Sequence, residues 1–230
     1  MPVVTDDRTL ERQSLFQHLT PEQLAQISVQ LRRQMFPAGT TILTIEQPSE
    51  VVYLIERGAV KIHLEQMDGT DVILAILAAG DVLGEMGLMD ATARSASAVT
   101  LEETVCWWME RAAFQQCLQT IPQLAHNLLH LLSQRLRMAN EQIQALATKD
   151  VEGRVARQVL ALVKAYGQPT VTGDWYLPIR LTQSDLASFV GATRERVNQV
   201  MASYKQRHYL SVDKNHHLTI HNLDALTKML

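Results

Sequence analysis

The sequence has few cysteines and no long apolar run. Cys106 and Cys117 are the only cysteines among 230 residues, too few for a disulfide scaffold, a four-thiolate iron–sulfur cluster or a structural zinc site. We therefore expect two reduced thiols that pack as small apolar groups. Every apolar-rich stretch ends well before the roughly 18 residues of a transmembrane helix. No apolar run follows the charges of MPVVTDDRTLERQ, so we expect no signal peptide and no membrane partner, and we predict a cytoplasmic protein.

The chain also lacks a strong excess of charge of either sign. Its formal net charge is −3, and its 20% of charged residues is ordinary for a globular protein. This balance excludes a chain coated in positive charge, although it permits a local basic face. The length allows one large domain or two smaller ones, each with a sizeable core.

Short strands dominate the first half of the chain. From Gly39 to Leu88, runs of Val, Ile and Leu alternate with turn residues, and Gly58, Gly69 and Gly80 fall eleven residues apart. The pair Asp68-Gly69 is typical of a tight hairpin turn. The even spacing predicts an antiparallel sandwich or barrel rather than alternating strands and helices.

From about Glu110 onward the pattern becomes helical, with a break near Pro122. Within this region six apolar residues are spaced 3, 4, 3, 4 and 3 apart, which is the a/d pattern of a coiled-coil seam. A single helix packed once against its own domain is the alternative interpretation. A seam this regular favours two helices side by side, and hence a homodimer. The predicted dimer residues are Leu129, Leu132, Leu136, Ala139, Ile143 and Leu146.

A small polar cluster interrupts the helical pattern at Lys149 and Asp150, which we predict to form a hinge between domains. Asp150 is also a good cap for a following helix. The predicted division is residues 1–120 for the strand-rich domain, 121–148 for the dimerisation helix and 149–230 for the last domain. In that last domain, LSVDKNHHLTIHN reads as two strands about a polar turn, so His216 and His217 are expected in a surface wing rather than as metal ligands.

The segment LTQSDLASFVGATRERVNQV has the pattern of a helix–turn–helix. Thr182 and Thr193 can each cap a helix, and Gly191 lies where a tight turn between the helices needs positive φ. The second helix then presents polar side chains of the types that read base edges in the major groove of double-stranded DNA. The predicted DNA-contacting residues are Thr182, Thr193, Arg194, Glu195, Arg196, Asn198 and Gln199.

The stretch GEMGLMDATARSASAV, residues 84–99, is too irregular for a helix and too rich in glycine for an ordinary strand. It brings the carboxylate of Glu85, the guanidinium of Arg94 and the hydroxyl of Ser95 together in what we expect to be a loop. A guanidinium beside hydroxyl and backbone N–H donors suits a phosphate.

In this order, the strand-rich half, the long helix and the winged helix–turn–helix resemble the cyclic-AMP receptor protein and fumarate–nitrate regulator family of bacterial transcription regulators. The resemblance spans residues 15–222. It implies an α+β fold with an N-terminal antiparallel, jelly-roll-like β-roll that binds a cyclic nucleotide, a long dimerisation helix and a C-terminal winged helix–turn–helix. It implies a cyclic nucleotide-responsive, sequence-specific regulator that binds a palindromic operator as a homodimer and has RNA polymerase as a partner.

In that family the segment around Arg94 binds the cyclic phosphate, and Gly84, Glu85, Leu88, Arg94, Ser95 and Ala96 match it position by position. The resemblance implies that Glu85 accepts a hydrogen bond from the ribose hydroxyl and that Arg135 lies near the ligand. Family members that bind cyclic AMP present a threonine and then a serine to the purine, where this chain has Ala139 and Asn140. The implied ligand-binding set is Gly84, Glu85, Met86, Arg94, Ser95, Ala96, Arg135, Ala139 and Asn140.

Cyclic AMP is the predicted ligand, with no metal, haem or iron–sulfur cluster. Cyclic GMP, a cyclic dinucleotide or no ligand at all remain alternatives, because Ala139 cannot hydrogen-bond a base. An enzyme acting on a cyclic nucleotide is a further alternative, although the sequence has no metal-ligand cluster and no nucleophile–base signature. In the DNA-reading helix, Gln199 replaces the third family reader, an arginine. We therefore predict an operator related to the TGTGA half-site but altered at the base pair that Gln199 faces.

Overall fold

The computed structural model describes Leu10 and residues 13–67, 69–89 and 92–230. The chain divides into two compact units. Unit 1 comprises Met1–Leu64 and Ala75–Arg137, and unit 2 comprises Glu65–Leu74 and Met138–Leu230. Gly69 has the predicted positive φ, at 78°, whereas Asp68 of the predicted hairpin turn lies outside the described residues. The predicted domain boundaries at residues 120 and 148 stay a prediction.

In the described residues of the first half of the chain, eight strands form two four-stranded sheets. The first sheet has the order β1–β8–β3–β6, and the second has the order β2–β7–β4–β5. The neighbouring pairs β1/β8, β3/β8, β3/β6, β2/β7 and β4/β7 run antiparallel. The strands are β1 (Arg32–Phe36), β2 (Thr41–Leu43), β3 (Val51–Arg57), β4 (Ala59–Glu65), β5 (Asp71–Ala78), β6 (Val82–Leu83), β7 (Ser97–Thr100) and β8 (Thr104–Glu110).

The apolar core between these sheets takes one buried residue from each strand. These residues are Phe36, Leu43, Ile55, Val60, Leu77, Leu83, Ala98 and Cys106. Such sharing requires the inner faces of both sheets to pack on each other, as in a sandwich. The α+β fold with an antiparallel β-roll is therefore confirmed.

The helices begin and end where the sequence places caps and turns. Thr20 and Gln23 form a capping box at the start of α1, with Pro21 at its first position. The helices are α1 (Pro21–Ser28), α2 (Glu85–Met89), α3 (Arg111–Thr120), α4 (Pro122–Thr148), α5 (Val151–Tyr166), α6 (Gln183–Val190), α7 (Arg194–Gln206) and α8 (Leu223–Thr227). Asp150 caps α5, because its carboxylate accepts a hydrogen bond from the Gly153 amide at 2.8 Å. No described helix combines the length and the apolarity needed to span a membrane.

The predicted seam lies along α4, and most of it is exposed in the single chain. Leu129, Leu136 and Ile143 are 63–65% exposed, and Ala139 and Leu146 are exposed as well. Leu132 differs, because it is half-buried and packs against the core of unit 1. Apolar side chains left in a row on one face indicate a surface for a partner.

Unit 2 carries the predicted helix–turn–helix and wing. Gly191 ends α6 in the left-handed region, with φ 63° and ψ 53°, and Thr193 caps α7. The sheet has the order β11–β12–β10–β9, and the predicted wing is its β11–β12 pair. The strands are β9 (Gln168–Pro169), β10 (Trp175–Leu177), β11 (Leu210–Val212) and β12 (Leu218–Ile220).

Both cysteines are buried and free, so we expect them to resist thiol reagents in the native chain. Burial raises the pKa of Cys106 to about 12 and also raises the pKa of Cys117. Because the thiolate is the reactive form, neither should be modified at pH 8. Titration with a disulfide reagent should count no accessible thiol in buffer and two in denaturant. A thiol that reacts at pH 8 in the native chain would contradict this assignment.

Candidate functional site

The predicted phosphate-binding stretch begins at position 84, where the backbone and its surroundings allow only glycine. Gly84 has φ +85°, and a Cβ there would lie 2.5 Å from Nη1 of Arg94 and 3.2 Å from the carbonyl oxygen of Val51. The chain then forms the short helix α2 from Glu85, so the prediction of a loop throughout is wrong for Glu85–Met89. The absent side chain leaves room for the Arg94 guanidinium against the backbone.

Arg94 is almost fully buried and is held by backbone groups. Its side chain donates hydrogen bonds from Nη1 to the Gly84 carbonyl and from Nη2 to the Val51 carbonyl, both at 2.7 Å. Burial lowers the pKa of Arg94, and the nearby Tyr53 and Glu85 oppose that shift. A guanidinium is not deprotonated in proteins, so the structure fixes a cation here.

Glu85 is the anionic counterpart and is 2% exposed. Arg135 reaches it from α4, with Nη1 of Arg135 2.5 Å from Oε1 of Glu85. The other Arg135 nitrogen, Nη2, donates to the Val82 carbonyl. A carboxylate buried this deeply needs such a partner, because an unpaired charge away from water is costly. The carboxylate predicted for the ribose is thus engaged by Arg135 in this structure.

A cavity of about 80 Å³ lies at this point, smaller than the roughly 300–1,000 Å³ of typical small-molecule sites. Ala139 and Asn140 are exposed on α4 and do not line it, and the Leu88 side chain lies outside the described part of the chain. Apolar side chains complete the wall, among them Leu43, Ile62, Leu77 and Leu83. The predicted ligand residues that line it together are Gly84, Glu85, Met86, Arg94, Ser95, Ala96 and Arg135.

A larger open groove of about 660 Å³ also occurs in unit 1, between the β2–β3 connection and α3. Glu46, Glu50, Glu110 and Trp108 line it. Its three carboxylates outnumber its one guanidinium, that of Arg111, which does not suit an anionic phosphate, and neither Arg94 nor Ser95 lines it. The smaller cavity is therefore the candidate ligand site.

The candidate DNA-reading surface is the amino-terminal part of α7. Arg194, Glu195, Arg196 and Gln199 are exposed there. Asn198 differs from the prediction of an outward residue, because it is half-buried. Its Oδ1 is enclosed and has no hydrogen-bond partner among the residues that the structure describes.

The two predicted threonines in this region act as helix caps. The hydroxyl of Thr182 accepts a hydrogen bond from the Asp185 amide, while the Asp185 carboxylate accepts one from the Thr182 amide. The Thr193 hydroxyl accepts one from the Arg196 amide. These bonds satisfy N–H groups that a helix leaves unpaired at its start, so both helix starts are held at defined positions.

Sequence reasoning missed two residues that hold this unit together. Arg154 donates from Nη2 to the Gly191 carbonyl at 3.1 Å and from Nη1 to the Lys149 carbonyl at 3.4 Å. The Tyr204 hydroxyl donates to the Glu152 carbonyl at 2.8 Å, and burial raises the pKa of Tyr204 above its usual range. The Arg154–Gly191 and Tyr204–Glu152 bonds have no signal in residue spacing, since they join residues 37 and 52 positions apart.

A β-roll with a cation–carboxylate cavity, followed by a winged helix–turn–helix, defines the class of ligand-binding transcription regulators. Residues 33–121 match the family of cyclic nucleotide-binding domains, and residues 153–229 match the Crp-like helix-turn-helix domain. The chain belongs to the CRP/FNR family of DNA-binding transcription regulators.

Individual relatives agree with this assignment. The chain is 33% identical to a CRP-like cAMP-activated global transcriptional regulator of Mycobacterium tuberculosis, over 90% of this chain and 92% of that protein. It is 30% identical to a cyclic AMP receptor protein of Thermus thermophilus, over 81% of this chain and 83% of that one. The structure of FixK2 from Bradyrhizobium japonicum has a TM-score of 0.76 at 22% identity and covers 86% of this chain and 96% of that chain, which shows the shared fold.

Replacing Arg135 should destabilise unit 1. Arg135→Ala leaves Glu85 buried without its cation, so we expect a loss of about 2–4 kcal/mol in the free energy of unfolding. Urea titration followed by circular dichroism measures it. Arg137→Ala, which removes the same charge from an exposed position on the same helix, should cost less than about 0.5 kcal/mol. Equal losses in the two variants would show that the ion pair contributes nothing.

Proposed function

We propose that this chain is a cyclic AMP-responsive transcription regulator that binds a palindromic operator as a homodimer. The observation that carries the proposal is the convergence of Arg94, Ser95 and Glu85 on one cavity in a chain that also has a Crp-like helix-turn-helix. The names of the Mycobacterium and Thermus relatives support cyclic AMP as the ligand.

The cavity residues fit a cyclic sugar–phosphate. Arg94 uses two of its five N–H donors on carbonyls, so three remain for an anionic phosphate. Ser95 is exposed at the cavity and offers a hydroxyl donor. Glu85 would accept a hydrogen bond from the ribose hydroxyl alongside the one from Arg135, because a carboxylate has two acceptor oxygens. The cavity must widen to admit a nucleotide, since its volume is about 80 Å³.

The shared carboxylate supplies a physical basis for a switch. A ligand shifts an equilibrium between two states only by the difference in its affinity for them, and a ribose bound to Glu85 would change the ion pair with Arg135. Arg135 lies on α4, which also carries the exposed seam from Leu129 to Leu146. We propose that the ligand selects one packing of that seam, and that Lys149 and Asp150 act as the hinge.

The DNA-binding part of the proposal rests on α7. Arg194 and Glu195 are exposed at its first turn, as expected of residues that read guanine and cytosine edges. Thr182, Thr193, Arg196, Asn198 and Gln199 complete the proposed contact surface. Two such helices bind one operator when they lie about 34–36 Å apart, one turn of DNA.

The remaining parts of the proposal have two sources. From family membership we propose RNA polymerase as a partner, the cytoplasm as the location and no catalytic activity. From the two cysteines and the matching phosphate-binding segment we propose no metal, haem or iron–sulfur cluster. A second candidate is a regulator that senses cyclic GMP, a cyclic dinucleotide or no ligand. Ala139 and Asn140, which stand where cyclic AMP binders carry threonine and serine, are the observation that favours it.

Calorimetric titration with cyclic AMP, cyclic GMP and cyclic di-GMP tests the ligand. We expect cyclic AMP to bind, and Arg94→Ala to weaken binding at least a hundredfold, since it removes the buried cation from the phosphate. Arg111→Ala, a charge-matched change on α3 outside the cavity, should bind normally. Tighter binding of another nucleotide would contradict the cyclic AMP assignment and identify that nucleotide as the ligand.

The unsubstituted chain and the Arg94→Ala variant also test whether DNA binding depends on the nucleotide. We test a set of palindromic probes with two TGTGA-related half-sites one helical turn apart, each substituted at one position of the half-site. At least one probe should shift in a gel at lower protein concentration when cyclic AMP is present. The Arg94→Ala shift should not respond to cyclic AMP. Identical operator affinity with and without every nucleotide would leave a ligand-independent regulator.

The seam predicts the oligomeric state. Ile143→Asp puts a charge on the exposed apolar row and should convert a dimer to a monomer in sedimentation at micromolar concentration. Gln144→Asp, the adjacent exposed position on α4, adds the same charge off the seam and should remain dimeric. A dimeric Ile143→Asp variant would place the interface elsewhere.

A further inference from the structure

Two exposed side chains on α7 are hydrogen-bonded to each other. Nη1 of Arg196 donates to Oε1 of Gln199 at 3.1 Å. Residues three apart on a helix lie on the same face, and the Arg196 backbone is held in the first turn by the Thr193 cap. The contact therefore lies on the surface that is proposed to enter the major groove.

The chemistry of this pair determines which end of the Gln199 amide faces Arg196. A guanidinium has only donors, so the amide atom that it contacts is the carbonyl oxygen. This assignment does not depend on telling oxygen from nitrogen by position, which is the usual ambiguity of a glutamine side chain. The amide NH₂ group is left as the part of Gln199 available to DNA.

We propose that Arg196 is a positioning residue that makes Gln199 read base acceptors. The inference rests on the proposed function, because it concerns the same DNA-reading helix. An unconstrained glutamine pairs best with adenine, since its oxygen accepts from N6 while its NH₂ donates to N7. The bond from Arg196 occupies one of the two lone pairs of that oxygen and fixes the direction of the amide, so the two-bond pairing with adenine is weakened.

The bases then rank by the acceptors that they present in the major groove. Guanine offers N7 and O6, and thymine offers O4, so both suit an NH₂ donor. Adenine places its own N6 donor beside N7, and cytosine presents only a donor. Gln199 therefore accepts guanine or thymine and disfavours adenine and cytosine at the base that it faces.

Selection of operators from a library of randomised palindromic half-sites tests this inference. The full chain is used, and cyclic AMP is held constant at the concentration that saturates the chain in the calorimetric titration. The base that Gln199 faces is the position whose preference changes in Gln199→Ala. We expect the unsubstituted chain to select guanine or thymine there. Arg196→Ala should raise the adenine-to-guanine ratio about tenfold at that position alone.

Lys205→Ala is the matched control, because exposed Lys205 carries the same charge on the same helix. Loss of a phosphate-binding charge weakens all sequences alike, so this variant should leave the adenine-to-guanine ratio unchanged. Arg196 and Gln199 are exposed, and helix content by circular dichroism checks that each variant is folded.

Three outcomes would overturn the inference. An unchanged ratio in Arg196→Ala, with the Gln199→Ala effect present, overturns it and leaves the proposed function standing. Lost preference at a second position in Arg196→Ala means that Arg196 itself reads a base, which also overturns the positioning role. If no palindrome is enriched with any variant, the proposed function fails, and the inference that rests on it fails with it.

Discussion

The burial of one charged group, the guanidinium of Arg94, is the constraint on which the ligand site depends. An arginine that is 6% exposed must be surrounded by acceptors, because a buried charge without them costs several kcal/mol. The Gly84 and Val51 carbonyls supply those acceptors, and only a glycine at position 84 leaves room for the side chain to reach them. The site is thus built around a buried cation that backbone carbonyls hold in position.

The ion pair between Arg135 and Glu85 connects this site to the helix that carries the exposed seam. Arg135 belongs to α4 and is bonded both to Glu85 and to the Val82 carbonyl. In the proposed complex, a ribose and Arg135 share the Glu85 carboxylate, so the ligand alters the environment of a side chain on α4. The proposed coupling between nucleotide and helix is therefore a consequence of shared hydrogen-bond partners. It does not require a long pathway of small displacements.

The DNA-reading helix shows the opposite arrangement, in which charge stays in water and the backbone is held by caps. Thr182 and Thr193 satisfy the helix starts, and Gly191 provides the left-handed turn between them. Exposed polar side chains on this helix can then orient one another through hydrogen bonds, as Arg196 and Gln199 do. A reading surface built this way can change specificity through contacts within the helix as well as through the residues that touch DNA.

The sequence by itself determined the local structure: the caps at Thr182 and Thr193, the turn at Gly191, and the strand-rich and helical halves. Caps and turns depend on a few adjacent residues, so they can be predicted from the sequence. Only the tertiary structure decided that Glu85 begins a helix and pairs with Arg135, that Arg94 bonds to Val51, that Leu132 packs inward and that Asn198 is half-buried. These features join segments up to 50 residues apart or depend on what packs against a helix face. Long-range packing determines these features, and such packing cannot be predicted from residue spacing.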